Sequence, residues 1–261
     1  MPGQLGAAVA AAVAVTGVAG CTPAPPASAP GSPTPASSHS TVGPVAANIL
    51  ASPAPKKTIG GTPVVYLTFD DGPDTTGATS AVRRQLRALS VPATFFVLGQ
   101  QLSTSAGRRL VTGLASDGHS VQVHGWDHTA WTSLSPTGRA TQLTDTTQAV
   151  RSATGTSPTC SRPPYGSTNS AVRAAEKAAG LREQLWTVDP TDWRSPGAGA
   201  VTKSVAAKLR PGAVVLLHDG AGHGRQAAAA LPGIVAAAKA KGLSFALLCT
   251  AAPQNTSRPG R

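Results

Sequence analysis

Acidic residues are what this 261-residue chain has least of. Its 11 Asp and Glu stand against 22 Lys and Arg, for a formal net charge of +11 and a pI near 10.5. The imbalance belongs wholly to the later chain, because residues 1–55 contain no Lys, Arg, Asp or Glu. Aromatics are scarce too, at 4%. With few rings to stack on bases, scattered cations and no recognisable binding motif, the chain offers little to a nucleic acid, and none is expected as partner. A basic body suits an anionic surface instead, such as a cell wall or membrane headgroups. Long apolar runs are missing: the longest, Gly6 to Gly20, falls short of the roughly 20 residues a spanning helix needs. No internal repeat and no second compositional body is present.

That apolar run has the length of a signal-peptide core. It ends in Val18-Ala19-Gly20-Cys21, which resembles the lipobox of bacterial lipoprotein signals and implies a lipid on Cys21. The opening Met1-Pro2-Gly3-Gln4-Leu5 departs from that pattern by carrying no positive charge. The expectation is therefore export with a membrane anchor facing the wall, or plain secretion if Cys21 is not used. Residues 22–57, rich in Pro, Ala, Ser and Thr, hold too little apolar surface to offset chain entropy and are expected to form a disordered tether. Residues 58–252 would be the folded domain, most simply a monomer, and 253–261 a flexible tail. With Cys21 lipidated, Cys160 and Cys249 remain as an even pair in an oxidising compartment, either bridged or buried as thiols.

The folded part alternates strand and helix. Val64–Phe69, Ala93–Leu98, Ser120–Val123, Leu185–Val188, Val214–Leu217 and Ser244–Leu248 read as strands. Thr79–Leu89, Leu102–Ala115, Thr137–Thr154, Ala171–Ala179, Val201–Leu209 and Ala227–Lys241 read as helices. Short connections between them predict a parallel α/β sheet, open or closed.

Chemistry-bearing residues follow the strands. Asp70 and Asp71 end the first, just before a Gly72-Pro73 turn, where α/β folds place their active residues. His124-Gly125-Trp126-Asp127-His128 follows the third; histidines at i and i+4 share one face of a helical turn and, with one carboxylate, can hold a cation while leaving positions open. Such a pair also occurs by chance on surfaces. Arg162-Pro163-Pro164-Tyr165-Gly166 fixes an Arg and a Tyr on a stiff loop, the Arg able to orient a carboxylate and the Tyr165 amide to meet an oxyanion. Asp189-Pro190-Thr191-Asp192-Trp193 and Leu217-His218-Asp219 complete the series, with His218 able to donate a proton near neutral pH. Clusters after successive strands converge on one rim.

In this order the five segments resemble the motifs of the polysaccharide deacetylases, the NodB-homology carbohydrate esterases, over about residues 58–252. The resemblance implies a distorted (β/α) barrel and a divalent metal, usually zinc and sometimes cobalt, held by Asp71, His124 and His128. It further implies Asp70 as general base and His218 as general acid. Arg162 would hold Asp70, Tyr165 would meet the oxyanion, and Asp192, or Asp189 in its place, would support His218 with Trp193 walling the pocket. The reaction implied is removal of acetyl groups from an N-acetylated glycan such as peptidoglycan or chito-oligosaccharide. Deacetylation of xylan esters and a non-catalytic wall-binding lipoprotein are the alternatives. One departure is Gly125, where the family usually has Ser or Thr.

Overall fold

The computed structural model describes residues 55–220 and 222–250. The expected signal segment with Cys21, nearly all of the expected tether and the expected tail lie outside the described residues. Among the described residues, no helix is long and apolar enough to cross a membrane.

The long strand β2 (Thr62–Asp70) organises the domain. The short β1 (Thr58–Ile59) pairs with it antiparallel, and β3 (Thr94–Val97) and β7 (Val214–His218) flank it in parallel. The sheet continues through β4 (Ser120–Val123), β5 (Cys160–Ser161) and β6 (Arg182–Glu183), while β8 (Ser244–Phe245) pairs with the start of β2. A single bridge, Val188 to Val215, brings the chain after β6 back to β7 and curls the sheet into a distorted barrel. Among the described residues, six helices connect these strands: α1 (Ala78–Leu89), α2 (Ser105–Ser116), α3 (Pro136–Thr154), α4 (Ser170–Ala178), α5 (Ala198–Lys208) and α6 (Gly224–Ala240).

Strand alternation sorts the β2 side chains between two environments. Val65, Leu67 and Phe69 pack outward in the main core with Val82 and Leu86 of α1 and Leu231 and Ile234 of α6. Val64 and Tyr66 point inward to Leu185, Trp186, Val214 and Leu216. Thr68 and Asp70 continue the inward series, so the alternation that builds the core also delivers Asp70 to the interior at the rim.

Three elements differ from the sequence reading. Leu102–Ala115 is not one helix: a 3-10 turn (Gly99–Ser103) precedes α2, whose start is capped by the Thr104 hydroxyl accepting from the Gly107 amide at 3.0 Å. Leu185–Val188 is not a ladder strand either. The Gln184 and Leu185 carbonyls instead accept from the Arg162 guanidinium, at 2.8 and 3.3 Å, so a buried side chain takes the place of a neighbouring strand. At the C-terminus, β8 stops at Phe245, and the following chain is held from outside the ladder by Leu248 N–H donating to Thr94 Oγ1 and Ser120 Oγ donating to the Cys249 carbonyl.

Cys160 and Cys249 are bridged, with their Cα atoms 6.1 Å apart. The bridge closes a span of 89 residues and ties the end of the domain to β5, two residues before Arg162.

Candidate metal centre and acid–base rim

Asp70 and Asp71 are adjacent, yet both reach the same rim. Successive residues of a strand point to opposite faces, so a continued β2 would have sent Asp71 away. Asp71 instead takes φ 72°, the left-handed region that Asp enters more readily than most residues. This turns its carboxylate back beside Asp70. The turn is possible because the facing chain is glycine: a Cβ at Gly220 would lie 2.3 Å from the Asp71 carbonyl oxygen. Similarly, a Cβ at Gly72 would lie 2.4 Å from Asp219 Oδ2.

The histidines reach Asp71 by a different route from the one expected. His124 to His128 is not a helical turn; Gly125 has φ 90° and His128 φ 66°, and the irregular loop folds the two rings to 5.2 Å between centroids. Their Nε2 atoms lie 3.3 Å (His124) and 3.1 Å (His128) from Asp71 Oδ1. His124 Nδ1 lies 2.7 Å from the Arg162 carbonyl, which can only accept, so Nδ1 carries the hydrogen and, in the neutral ring, Nε2 presents a lone pair.

Asp71 Oδ1 is buried without a hydrogen-bond partner. A carboxylate oxygen and two imidazole lone pairs facing one another repel unless positive charge lies among them. Ligands at about 2.1 Å from one tetrahedral ion are separated by about 3.4 Å, close to the spacing here. The donor set therefore fits a divalent cation of the kind that takes nitrogen and oxygen ligands. The titration behaviour agrees. Burial alone would raise the Asp71 pKa, but the positive charge that His124 and His128 carry when protonated holds it well below the usual carboxylate range, so the site favours positive charge among these three groups. Burial would lower the His124 pKa, yet Asp70 and Asp71 leave it raised.

Asp70 is 2% exposed and held from behind. Arg162, fully buried, donates Nη1 to Asp70 Oδ1 at 2.6 Å and to Thr68 Oγ1 at 2.9 Å, with its remaining bonds going to Gln184 and Leu185. Its guanidinium stacks 4.0 Å over the Phe96 ring. This leaves Asp70 Oδ2 facing the cation site, 3.8 Å from His124 Nε2. Across the rim, His218 Nδ1 donates to Asp192 Oδ1 at 2.8 Å, and its backbone N–H donates to Asp192 Oδ2 at 2.9 Å. Asp192 is fully buried, so it, and not Asp189, holds His218; Asp189 Oδ1 accepts from the Thr191 amide.

Tyr165, at φ 61°, is 52% exposed and sets its ring edgewise against His128, with centroids 4.5 Å apart. Trp193 is half-buried on a 3-10 turn under the Arg194 guanidinium.

Three supporting residues were not singled out in the sequence. Gln142, on α3, accepts through Oε1 from the Trp126 amide at 2.5 Å and donates to Asp127 Oδ1 at 2.8 Å, clamping the loop between the histidines. Gln226 donates to the Asp192 carbonyl and accepts from the Gly197 amide. Thr79 donates to Asp219 Oδ2 at 2.5 Å under the Asp71 turn. All three act across sequence separations of at least 15 residues, and none of them stands inside one of the five segments, although their partners Trp126, Asp127, Asp192 and Asp219 do.

Gly125 is also explained. A Cβ there would meet Trp131 Nε1 at 2.9 Å and Gln142 Oε1 at 3.0 Å, and Trp131 is fully buried. With φ also in the left-handed region, Gly125→Ser is expected to destabilise the fold by about 1–3 kcal/mol and to weaken cation binding, not to restore a useful hydroxyl. Urea midpoints and a cation titration on Gly125→Ser and Gly125→Ala check this. Equal losses in both variants are expected; a Ser variant that binds cation more tightly than the parent contradicts the prediction.

The curled parallel sheet, with two histidines and a carboxylate at its strand ends that could together hold a cation, places the protein among α/β barrels with a candidate single-metal site on the rim. Comparison with known proteins narrows the class. The sequence profile of the polysaccharide deacetylases matches residues 57–184. A chitooligosaccharide deacetylase of Bradyrhizobium sp. (strain ANU 289) is 39% identical over 163 residues, 62% of this chain and 73% of that one. A peptidoglycan-N-acetylglucosamine deacetylase of Listeria monocytogenes serotype 1/2a (strain 10403S) is 43% identical over 155 residues, covering 59% of this chain and 32% of that protein. The chain thus spans about a third of that relative's length. A family 4 carbohydrate esterase from Streptomyces lividans, solved with acetate, aligns with a TM-score of 0.65 at 33% identity, over 73% of this chain and 97% of that one. The chain belongs to the polysaccharide deacetylase family.

Proposed function

We propose that this protein hydrolyses the acetamide of N-acetylglucosamine residues in a glycan polymer, peptidoglycan or a chitin-type oligosaccharide. The observation that carries the reading is the unpartnered Asp71 Oδ1 between two histidine Nε2 atoms, beside an aspartate whose other oxygen is clamped by Arg162. Asp71, His124 and His128 would hold a divalent cation, most simply zinc. When bound, such an ion acts as a Lewis acid that lowers the pKa of water and polarises a carbonyl.

The remaining work falls to the chain's own groups. Asp70 Oδ2 takes a proton from the attacking water, and Arg162 keeps Oδ1 engaged so that only one carboxylate oxygen is presented. As the acetyl carbon becomes tetrahedral, the Tyr165 amide donates to the developing oxyanion. His218 gives its Nε2 proton to the departing amine, while Asp192 holds the ring from Nδ1 and stabilises its positive charge. Without that proton the tetrahedral species returns to amide. The half-buried Trp193 and exposed Tyr165 offer apolar faces to a sugar ring.

The apolar run before Cys21 and the Pro/Ala-rich stretch after it favour an exported, lipid-anchored enzyme held near its wall substrate. Acetate release from chito-oligosaccharide, peptidoglycan and acetylated xylan, with and without a chelator, tests the reaction. Chelator-sensitive release from the N-acetylated glycans is expected. Release from xylan alone would favour the ester reading, and no release by protein shown to hold metal would overturn both.

A further inference from the structure

The catalytic rim lies at the carboxyl ends of the strands. The opposite pole has a different character. Between Pro55 and Phe69 there is no acidic residue, and between Trp193 and Thr250 there is one, Asp219, which is buried at the rim. The segments that enter β1, β2 and β7 at the far pole, and the end of α6, therefore carry cations without acidic residues of their own; Asp117, before β4 at the same pole, is already paired with Arg83 at 2.6 Å.

These cations are brought together by the fold. The Val64 amide donates to the Lys57 carbonyl at 3.0 Å, and the Gly212 amide donates to the Val64 carbonyl at 2.7 Å. A Cβ at Gly212 would lie 3.1 Å from Lys57 Cγ, which sets Lys57 beside the Arg210-Pro211-Gly212 turn. Lys241 donates to the Ala206 and Leu209 carbonyls at the end of α5, at 2.7 and 3.3 Å. Lys56, Lys57, Lys208, Arg210 and Lys241 are all exposed. β2 joins this pole to Asp70, and at roughly 3.3 Å per residue its length separates the two ends by about 26 Å.

The chain enters the described domain at this same pole, through Lys56 and Lys57. We propose that the pole formed by Lys56, Lys57, Arg210 and Lys241 docks against anionic lipid headgroups, leaving the catalytic rim facing away from the membrane. The proposal goes beyond the catalytic reading and does not depend on it. Anionic headgroups fit because each basic residue near such a surface strengthens binding by about fivefold. Pro55 follows Cys21 by 34 residues in the sequence, so a lipid on Cys21 would tether the pole and raise its effective concentration over the headgroups. Weak individual contacts then suffice.

Vesicle co-sedimentation of the full chain tests this, using phosphatidylcholine alone or mixed with phosphatidylglycerol. Tighter binding to the mixed vesicles, falling steeply with salt, is expected. The double reversal Lys57→Glu/Arg210→Glu should weaken it by at least about tenfold, whereas Arg84→Glu/Arg109→Glu, the same charge change on α1 and α2, should cost less than about threefold. Near-UV circular dichroism and melting temperature confirm that both variants fold. Equal losses in the two variants would reduce the effect to net charge and overturn the proposal. So would equal affinity for neutral vesicles, which would credit the apolar run. Binding to a soluble glycerol-phosphate polymer without binding to vesicles would assign the pole to a wall polymer instead, and would also overturn it.

Discussion

Asp70→Asn is expected to lower acetate release by about 10³-fold while leaving cation affinity near that of the parent. Asp71→Asn should do the opposite at the binding step, losing most cation affinity and, with it, turnover. The two carboxylates are adjacent and both face the rim, but their contacts differ. Asp70 is bonded through Oδ1 to Arg162 and stands 3.8 Å from the nearer histidine nitrogen. Asp71 places Oδ1 within 3.3 Å of both imidazoles and has no other partner for that atom. The amide oxygen at position 70 can still accept from Arg162, but the Nδ2 that then replaces Oδ2 is a donor and cannot take a proton from water. At position 71, Asn enters the left-handed region at least as readily as Asp, so the φ of 72° is retained and the loss reports charge, not backbone.

The comparison needs one control. Removing the charge of Asp70 leaves the Arg162 guanidinium buried without its counter-ion, and breaking a buried pair typically costs about 3–5 kcal/mol. Melting temperature and cation titration must therefore accompany the rate. A folded Asp70→Asn protein that binds cation and releases no acetate supports the division of roles. An Asp70→Asn protein that loses cation, or an Asp71→Asn protein that keeps it, exchanges them.

Much of the fold was legible because hydrophobic periodicity reports local structure. Ser120–Val123 coincides with its expected strand, and α1 and α3 with their expected helices to within a residue. The residues of the rim were legible as types and positions, since each follows a strand. What was not legible was set by contacts between distant segments. The side chain that interrupts the expected Leu185–Val188 strand is Arg162, 22 and 23 residues earlier in the chain. The route by which His124 and His128 converge depends on two left-handed residues and on Gln142, not on the i, i+4 geometry of a helix. The bend that brings Asp71 to the site lies in Asp71 itself, one residue before the Gly72-Pro73 turn. Buried ionisable pairs are likewise invisible to pattern: Glu176 is buried, and burial together with the charge of Glu183 pushes its pKa up to about 8.

The largest pH effect should come from His218. Burial alone would push its pKa down, but the Asp192 hydrogen bond and charge, with Asp71 and Asp70 behind them, bring it up to about 9. An acid that must donate works only while protonated, so kcat/KM should hold across neutral pH and then fall tenfold per unit on the alkaline side. A cation held at Asp71 cancels the share due to Asp70 and Asp71, which sets this limb below 9 in the loaded protein, while the share due to Asp192 persists. Asp192→Asn keeps an oxygen that can accept from His218 but removes the negative charge. The burial term then dominates, and the limb should move down by about two units, costing roughly 10- to 30-fold at pH 8 and far less at pH 6. Folding stability should follow the same sign. A histidine whose folded pKa lies above its unfolded value near 6.5 stabilises the fold fully below about 6.5 and loses that contribution as pH rises through about 9. The parent's urea midpoint should therefore fall more than that of Asp192→Asn across this window. Imidazole NMR titration of both proteins, run beside the rate profile, identifies the group. If the alkaline limb stays in place in Asp192→Asn while the His218 resonance titrates two units lower, His218 is not the proton donor.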